Sequence, residues 1–367
     1  ISLSFFIALD SPLDQYFMCH PESFFNKNFE NVLINPSNPY ILKPHLLCAA
    51  WELPLSSDEE FSGGKFADAS MELERQGMLR GGGGKWYLSP SIAYPAQSVD
   101  IRSASGGSYA IVDASRGCEL LETVEASVAF SQIHPGAVYL HQGESYFITE
   151  LDLSTRTAYA VPSTLNYYTQ AKEITDLRVL RVSRERVSGG ISVYLGEVDV
   201  TTTVVGFKKK AHFTEGVVGE EPLDLPPQRF PTIAFWFDLP QEIAGKLAQA
   251  GLDLAGGLHA TEHAAIGILP LFALCDRNDI GGVSTPYHPD TGKAQIFIYD
   301  AYPGGIGIAE RGFELAAELW QATLDLIAKC PCEAGCPSCI QSPKCGNNNE
   351  PLDKEAAQIL LKGLLGY

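Results

Sequence analysis

Basic residues are scarce in this chain. Its 367 residues include 26 Lys and Arg against 44 Asp and Glu, a formal net charge of -18. Taken whole, that balance opposes nucleic-acid binding, because neutralising phosphates requires Lys and Arg. A basic face can still sit inside an acidic chain, so distribution matters more than the sum. No apolar run is long enough to cross a bilayer, and the opening residues lack the charged-then-apolar pattern of a secretory leader, so no membrane partner is expected. A phosphate-binding loop is also missing. Gly81-Gly-Gly-Gly84-Lys85 has glycines and a lysine, but no Ser or Thr follows and no helix pattern opens there.

Cysteine, by contrast, is concentrated. Five of nine cysteines fall in Cys330-Pro-Cys332-Glu-Ala-Gly-Cys336-Pro-Ser-Cys339-Ile-Gln-Ser-Pro-Lys-Cys345-Gly346. Packing gives no reason to crowd thiols into one loop, whereas four thiolates around zinc do. Cys336-x-x-Cys339 is a ligand pair, and the flanking Pro and Gly suit a tight knuckle. Five cysteines compete for four places. Cys332, Cys336, Cys339 and Cys345 are the favoured set, and the alternative exchanges Cys332 for Cys330. A disulfide cluster fits poorly, since disulfide-stapled domains are short and secreted. No thioredoxin-like pattern surrounds the CxxC. A closed four-thiolate site has no place for substrate, so one structural zinc per chain is expected, contributing on the order of 10 kcal/mol to local folding. Lone cysteines at 19, 48, 118 and 275 beside such a cluster suit a reducing cytoplasm.

The patterning predicts an α+β chain in four parts. Residues 1–38 open with Ile1-Ser-Leu-Ser-Phe-Phe-Ile-Ala-Leu-Asp10, which reads as a buried strand and as the tail of something longer. Leu13, Tyr16 and Phe17 could form the stripe of a short helix. Residues 39–97 read as a winged helix: helical spacing over Pro44–Glu52, an amphipathic helix over Lys65–Gln76, then a hairpin tipped by Gly81–Gly84. Such domains often bind DNA, yet Asp68, Glu72 and Glu74 on the second helix would face phosphates badly. Lys85 and Trp86 on the wing are candidate contacts, with hairpin packing the other use of the Trp. Residues 98–240 carry short β-branched strands at the spacing of an antiparallel barrel or sandwich. The densest basic cluster lies here: Lys172, Arg178, Arg181, Arg184, Arg186 and Lys208-Lys209-Lys210. It reads either as solvated strand edges or as a surface following a nucleic-acid backbone.

Residues 241–367 turn mixed and helical. His259-x-x-Glu262-His263 places two histidines on one helical face and formally matches an inverted metalloprotease pattern, to which Asp276, Asp279 or Asp300 could add oxygens. A metal-dependent hydrolase using His259, Glu262 and His263 is therefore one alternative function, and a zinc-stabilised protein-binding scaffold another. Strand Gln295–Asp300, glycines at 304, 305 and 307, and a following helix have the outline of an anion site, or of close helix-on-sheet packing. Leu352–Leu365 forms a last amphipathic helix.

Several segments together resemble one family. They are Asp10-Ser-Pro-Leu-Asp-Gln-Tyr16, Ile34-Asn-Pro-Ser-Asn-Pro-Tyr-Ile-Leu-Lys-Pro-His-Leu46, Glu262-His-Ala-Ala-Ile-Gly-Ile-Leu-Pro-Leu-Phe272, Cys275-Asp-Arg-Asn-Asp-Ile-Gly-Gly282, Asp300-Ala-Tyr-Pro-Gly-Gly-Ile-Gly-Ile-Ala-Glu310 and the cysteine loop. The chain is similar to the C-terminal part of MrfA-type DNA repair helicases, superfamily-two motors ending in a four-cysteine zinc-binding domain. The resemblance implies two RecA-like motor domains ahead of the winged helix, with residues 1 to about 14 as the tail of the second. It implies a parent that moves 3′ to 5′ on single-stranded DNA during repair. The implied zinc ligands are Cys332, Cys336, Cys339 and Cys345, with Cys330 as an unresolved extra. The chain itself has no Walker A loop, acidic Mg²⁺ motif or arginine finger, so ATP hydrolysis would belong to the parent.

Overall fold

The structure, a computed structural model, describes residues 3–26, 33–58, 65–99, 107–214 and 216–367. Residues 3–9 form no strand, and Leu3, Phe5, Ile7 and Leu9 are exposed. The expected buried strand over Ile1–Asp10 is therefore not formed, and its first two residues lie outside the described ones. An extended run needs a neighbour to take its backbone donors and acceptors, and among the described residues no strand is paired with it. Helix α1 (Pro12–Cys19) starts where Ser11 Oγ accepts the Asp14 N–H, and α2 (Pro21–Phe25) follows.

The winged unit comprises α3 (Pro39–Glu52), β1 (Leu55–Ser56), α4 (Lys65–Arg75), β2 (Leu79–Gly82) and β3 (Lys85–Leu88). α3 begins earlier than its spacing predicts, because Asn38 accepts the Tyr40 N–H and Pro39 suits the first helical position. Leu42, Leu46, Phe66, Leu73 and Leu79 close a core of their own beneath the sheet β1-β3-β2.

The next part forms an open five-stranded sheet: β4 (Ser108–Asp113), β5 (Glu119–Glu125), β6 (Val138–His141), β7 (Glu144–Asp152) and β8 (Thr157–Pro162), with α5 (Ala126–Gln132) packed on it. Its order is β5-β4-β8-β7-β6, and β4 and β8 run parallel. A hairpin of two long strands follows, β9 (Tyr167–Ser188) and β10 (Ile191–Ala211), then β11 (Val217–Pro222) and β12 (Gln228–Asp238). β10 is the spine of a six-stranded sheet. β9 flanks one edge, β11 and β12 share the other, and β14 (Gln295–Asp300) and β13 (Ile280–Thr285) complete it. β12 pairs with β14 from Ala234↔Tyr299 to Asp238↔Gln295, so one sheet joins residues on both sides of position 240.

Alternation along these strands makes two faces. Val193, Leu195, Phe235, Phe237, Ile296 and Ile298 meet the helices, while Val198, Val200, Trp236, Phe297 and Tyr299 form a cluster on the opposite face. The helices are α6 (Gln241–Ala250), α7 (Leu254–Ile268), α8 (Ile308–Glu314), α9 (Ala316–Lys329) and α10 (Lys354–Leu364). α7 is buried almost all round. At Gly257 an added Cβ would lie 2.7 Å from the Ala356 Cβ, so glycine lets α7 and α10 touch. That contact sets α7 beside the cysteine loop, which lies between α9 and α10.

Candidate metal centre

The loop after α9 gathers Cys330, Cys332, Cys336 and Cys339, whose sulfurs all lie within 4.8 Å of one another. Neighbouring sulfurs are 3.5 Å apart for Cys330–Cys332, Cys330–Cys336 and Cys332–Cys339, and 3.8 Å for Cys336–Cys339. Four thiolates at about 2.3 Å from a tetrahedral zinc stand about 3.8 Å apart, so the group fits that ion. The knuckle is local: Cys339 N–H and Ile340 N–H both donate to the Cys336 carbonyl. Gly335 has φ +111, and a Cβ there would strike Ile340 at 2.3 Å. Ile340 and Cys339 are fully buried in the main core, which anchors the loop to the helices.

The gathered group differs from the expected one. Both sets favoured from spacing include Cys345, yet Cys345 lies elsewhere and Cys330 and Cys332 are both in the cluster. Cys330 follows the last residue of α9 directly, and its sulfur joins the cluster. Cys345 follows the Ser342-Pro-Lys turn and is carried over to α7, where its Sγ is 3.5 Å from His259 Nε2.

One contributor has no motif to announce it. Lys354, buried at the start of α10, donates to the Cys330 carbonyl (2.9 Å), the Cys332 carbonyl (2.5 Å) and Cys332 Sγ (3.3 Å). Four thiolates around a dication leave net negative charge, which this ammonium offsets. Burial opposes the Cys332 thiolate, but hydrogen bonding with Cys339, Cys330 and Lys354 outweighs it and brings the thiol down to about 7. A cation at a helix start is disfavoured by the helix dipole, and that misplaced lysine is the one clue the sequence held.

The remaining candidates separate. His259 and His263 do share one face of α7, with ring centroids 4.2 Å apart. Glu262 is hydrogen-bonded to Ser284 and lies against Gly282, and burial pushes it up to about 7. Asp279 caps a turn, accepting from the Asp276 N–H and Tyr302 hydroxyl. Asp300 accepts backbone N–H groups from Ile306, Gly307, Ile308 and Ala309 at 2.5–3.3 Å. The expected anion at the glycine turn is thus the chain's own carboxylate, and Asn38 clamps the same turn through the Pro303 and Gly305 carbonyls.

The basic cluster is largely paired. Lys172 and Lys208 face Glu220, Lys209 faces Glu221, Arg181 faces Glu197, and Arg184 reaches Glu314 while lying over the Phe313 ring. Arg178 and Lys210 have no ion pair among the described residues. On the wing, Trp86 donates to Glu74 and packs edge-on against Phe66, while Lys85 is exposed beside the glycine tip.

Fold and site together define a winged helix linked by a β region to a four-cysteine zinc-binding domain. Residues 261–340 match the family described as the MrfA Zn-binding domain, and residues 34–104 the winged helix domain of ATP-dependent helicase HRQ1. Through these two domains the chain is homologous to the C-terminal region of ATP-dependent helicases that carry such a zinc-binding domain. It is 36% identical over 343 residues to an uncharacterized ATP-dependent helicase, YprA, of Bacillus subtilis, covering 92% of this chain and 45% of that one. It is 26% identical to ATP-dependent helicase HRQ1 of Saccharomyces cerevisiae, over 100% of this chain and 35% of the relative. The crystal structure of the DUF1998 helicase MrfA matches with TM-score 0.61 at 31% identity, covering 93% and 47% of the two chains. MrfA bound to DNA matches with TM-score 0.54 at 34% identity, covering 96% and 46%. The chain thus spans less than half the length of these helicase relatives. No described helix is long and apolar enough to cross a membrane.

Proposed function

We propose that the chain is the accessory C-terminal module of an ATP-dependent DNA helicase, guiding single-stranded DNA for RecA-like motor domains of the same protein. The parent would move 3′ to 5′ in DNA repair, in the cytoplasm. The carrying observation is the joint presence, in one chain, of the winged helix and the four-cysteine domain, in a fold shared with a helicase solved on DNA. Cys330, Cys332, Cys336 and Cys339 would hold one structural zinc, which fixes the ends of α9 and α10 and takes no part in chemistry. The candidate DNA contacts are Lys85, Trp86, Arg178, Arg181, Arg184, Lys208, Lys209 and Lys210. Since Trp86 is held by Glu74 and Phe66, its part would be to stiffen the wing that carries Lys85.

Titration of labelled single-stranded and duplex DNA at several salt concentrations tests this. Binding to single strands that weakens with salt is the expected result, with a log–log slope of about 0.7 per phosphate contacted. No binding even at low salt would overturn it and leave a scaffold that meets only proteins.

A further inference from the structure

A second group of ligand-type side chains lies apart from the four-cysteine cluster. His259 and His263 come from α7, and Cys345 from the loop beyond the knuckle. Their nitrogen and sulfur atoms lie within 4.8 Å of one another. We propose that His259, His263 and Cys345 form a second metal site that takes one divalent transition-metal ion of the zinc class.

Three observations carry this. First, both imidazoles are oriented as metal ligands are. His259 Nδ1 is 2.9 Å from the Pro351 carbonyl, and His263 Nδ1 is 2.9 Å from the Ile340 carbonyl. A carbonyl only accepts, so each Nδ1 carries the proton and each Nε2 keeps its lone pair. Metal-bound histidines nearly always donate their other N–H in this way. Second, the spacing fits. His259 Nε2 and Cys345 Sγ are 3.5 Å apart, and a tetrahedral ion with Zn–N about 2.0 Å and Zn–S about 2.3 Å would separate them by about 3.6 Å. Third, the thiol is held in place. Asn349 N–H donates to Cys345 Sγ at 3.2 Å, and the Asn349 side chain bonds both the N–H and the carbonyl of Ser342. Asn348 and Asn349 both have positive φ, which folds the chain back over the sulfur.

Three protein ligands leave a tetrahedral ion one position. His259, His263 and Cys345 line a cavity of about 410 Å³ that also presents Glu173, Glu262, Arg277 and Lys344. Water or a small anion from that cavity would fill the fourth place. A divalent ion with imidazole and thiolate ligands is of the zinc class, since hard Mg²⁺ and Ca²⁺ prefer oxygen. The ion would tie α7 to the 345–351 loop independently of the first centre.

The chain is loaded with excess zinc, washed, and its metal counted by elemental analysis. Two ions per chain are expected, falling to one in Cys345→Ala and in His263→Ala. Cobalt titration of the unmodified chain gives a second readout that no variant's misfolding can disturb. It should show a second equivalent with fewer thiolate charge-transfer bands than the first. One ion in the unmodified chain overturns the proposal and leaves the four-cysteine reading intact, with Cys345 merely packed against His259. No ion at all overturns both. Two ions that persist in both variants also overturn it, since the second would then lie elsewhere.

Discussion

Lys354 shows how one side chain can tune a metal centre from outside its ligand shell. Its three hydrogen bonds go to two carbonyls and one sulfur of the cluster. Lys354→Met should weaken zinc retention by about 10–100-fold, as loss of an outer-shell partner does, and competition with a chromogenic chelator would measure it. Asp300 makes a second prediction. Burial, then Glu310, pushes it up to about 7, although the backbone N–H groups of Ile306, Ala309 and Gly307 pull the other way. An unfolded Asp titrates near about 4. Between those values the folded chain keeps a proton that the unfolded chain has lost. Stability from this group is therefore fullest below about pH 4 and declines as pH rises to about 7. In Asp300→Asn that decline should flatten, which urea melts at pH 5 and pH 7.5 would show. At this scale the sequence was least informative. Five cysteines within sixteen residues announced a metal, but spacing could not tell that Cys345 belongs to a different group, because the choice depends on where α7 lies. Asp300 was weighed as an oxygen ligand for a metal, whereas its carboxyl accepts the N–H groups of the glycine turn.

Elements were more legible. α4, the glycine-tipped hairpin and most strands of the β region announce themselves through period, turn residues and β-branched runs. The strand expected over the opening residues fails for want of a partner, which no local pattern reveals. Two predictions belong to this scale. Gly257→Val would press a side chain into Ala356 where α7 and α10 touch. A loss of about 1–3 kcal/mol is expected from such overpacking, measurable by thermal or urea unfolding. The β10–β11 pairing aligns Lys208 with Glu220 and Phe207 with Glu221, and these two glutamates face Lys172, Lys208 and Lys209. Replacing both with Gln would free those cations. If this edge follows a DNA backbone, single-strand binding should tighten and its salt slope steepen, as filter binding at graded salt would record.

Across the whole molecule the apolar residues gather in separate clusters. The winged unit has its own, while the large sheet, its helices and the cysteine loop share another. Stripping zinc with a strong chelator should therefore unfold the helical region around residue 340 and leave the winged unit protected. Hydrogen exchange followed by region would show early loss over 316–364 and retention over 39–88. The α+β class and the presence of a winged helix could be read from pattern and composition. The long β9–β10 hairpin was visible only as scattered short strands, because its two bulge-bearing arms interrupt the alternation.

The pairing of β12 with β14 has a consequence for biosynthesis. A ribosome finishes Asp238 long before it reaches Gln295, the residue that lies opposite. In that interval the nascent polypeptide presents an open strand edge flanked by Phe235, Trp236 and Phe237. Holdase chaperones favour such surfaces, and so do sister chains on a crowded polysome. Gene fragments ending anywhere between those two strands should accumulate in inclusion bodies.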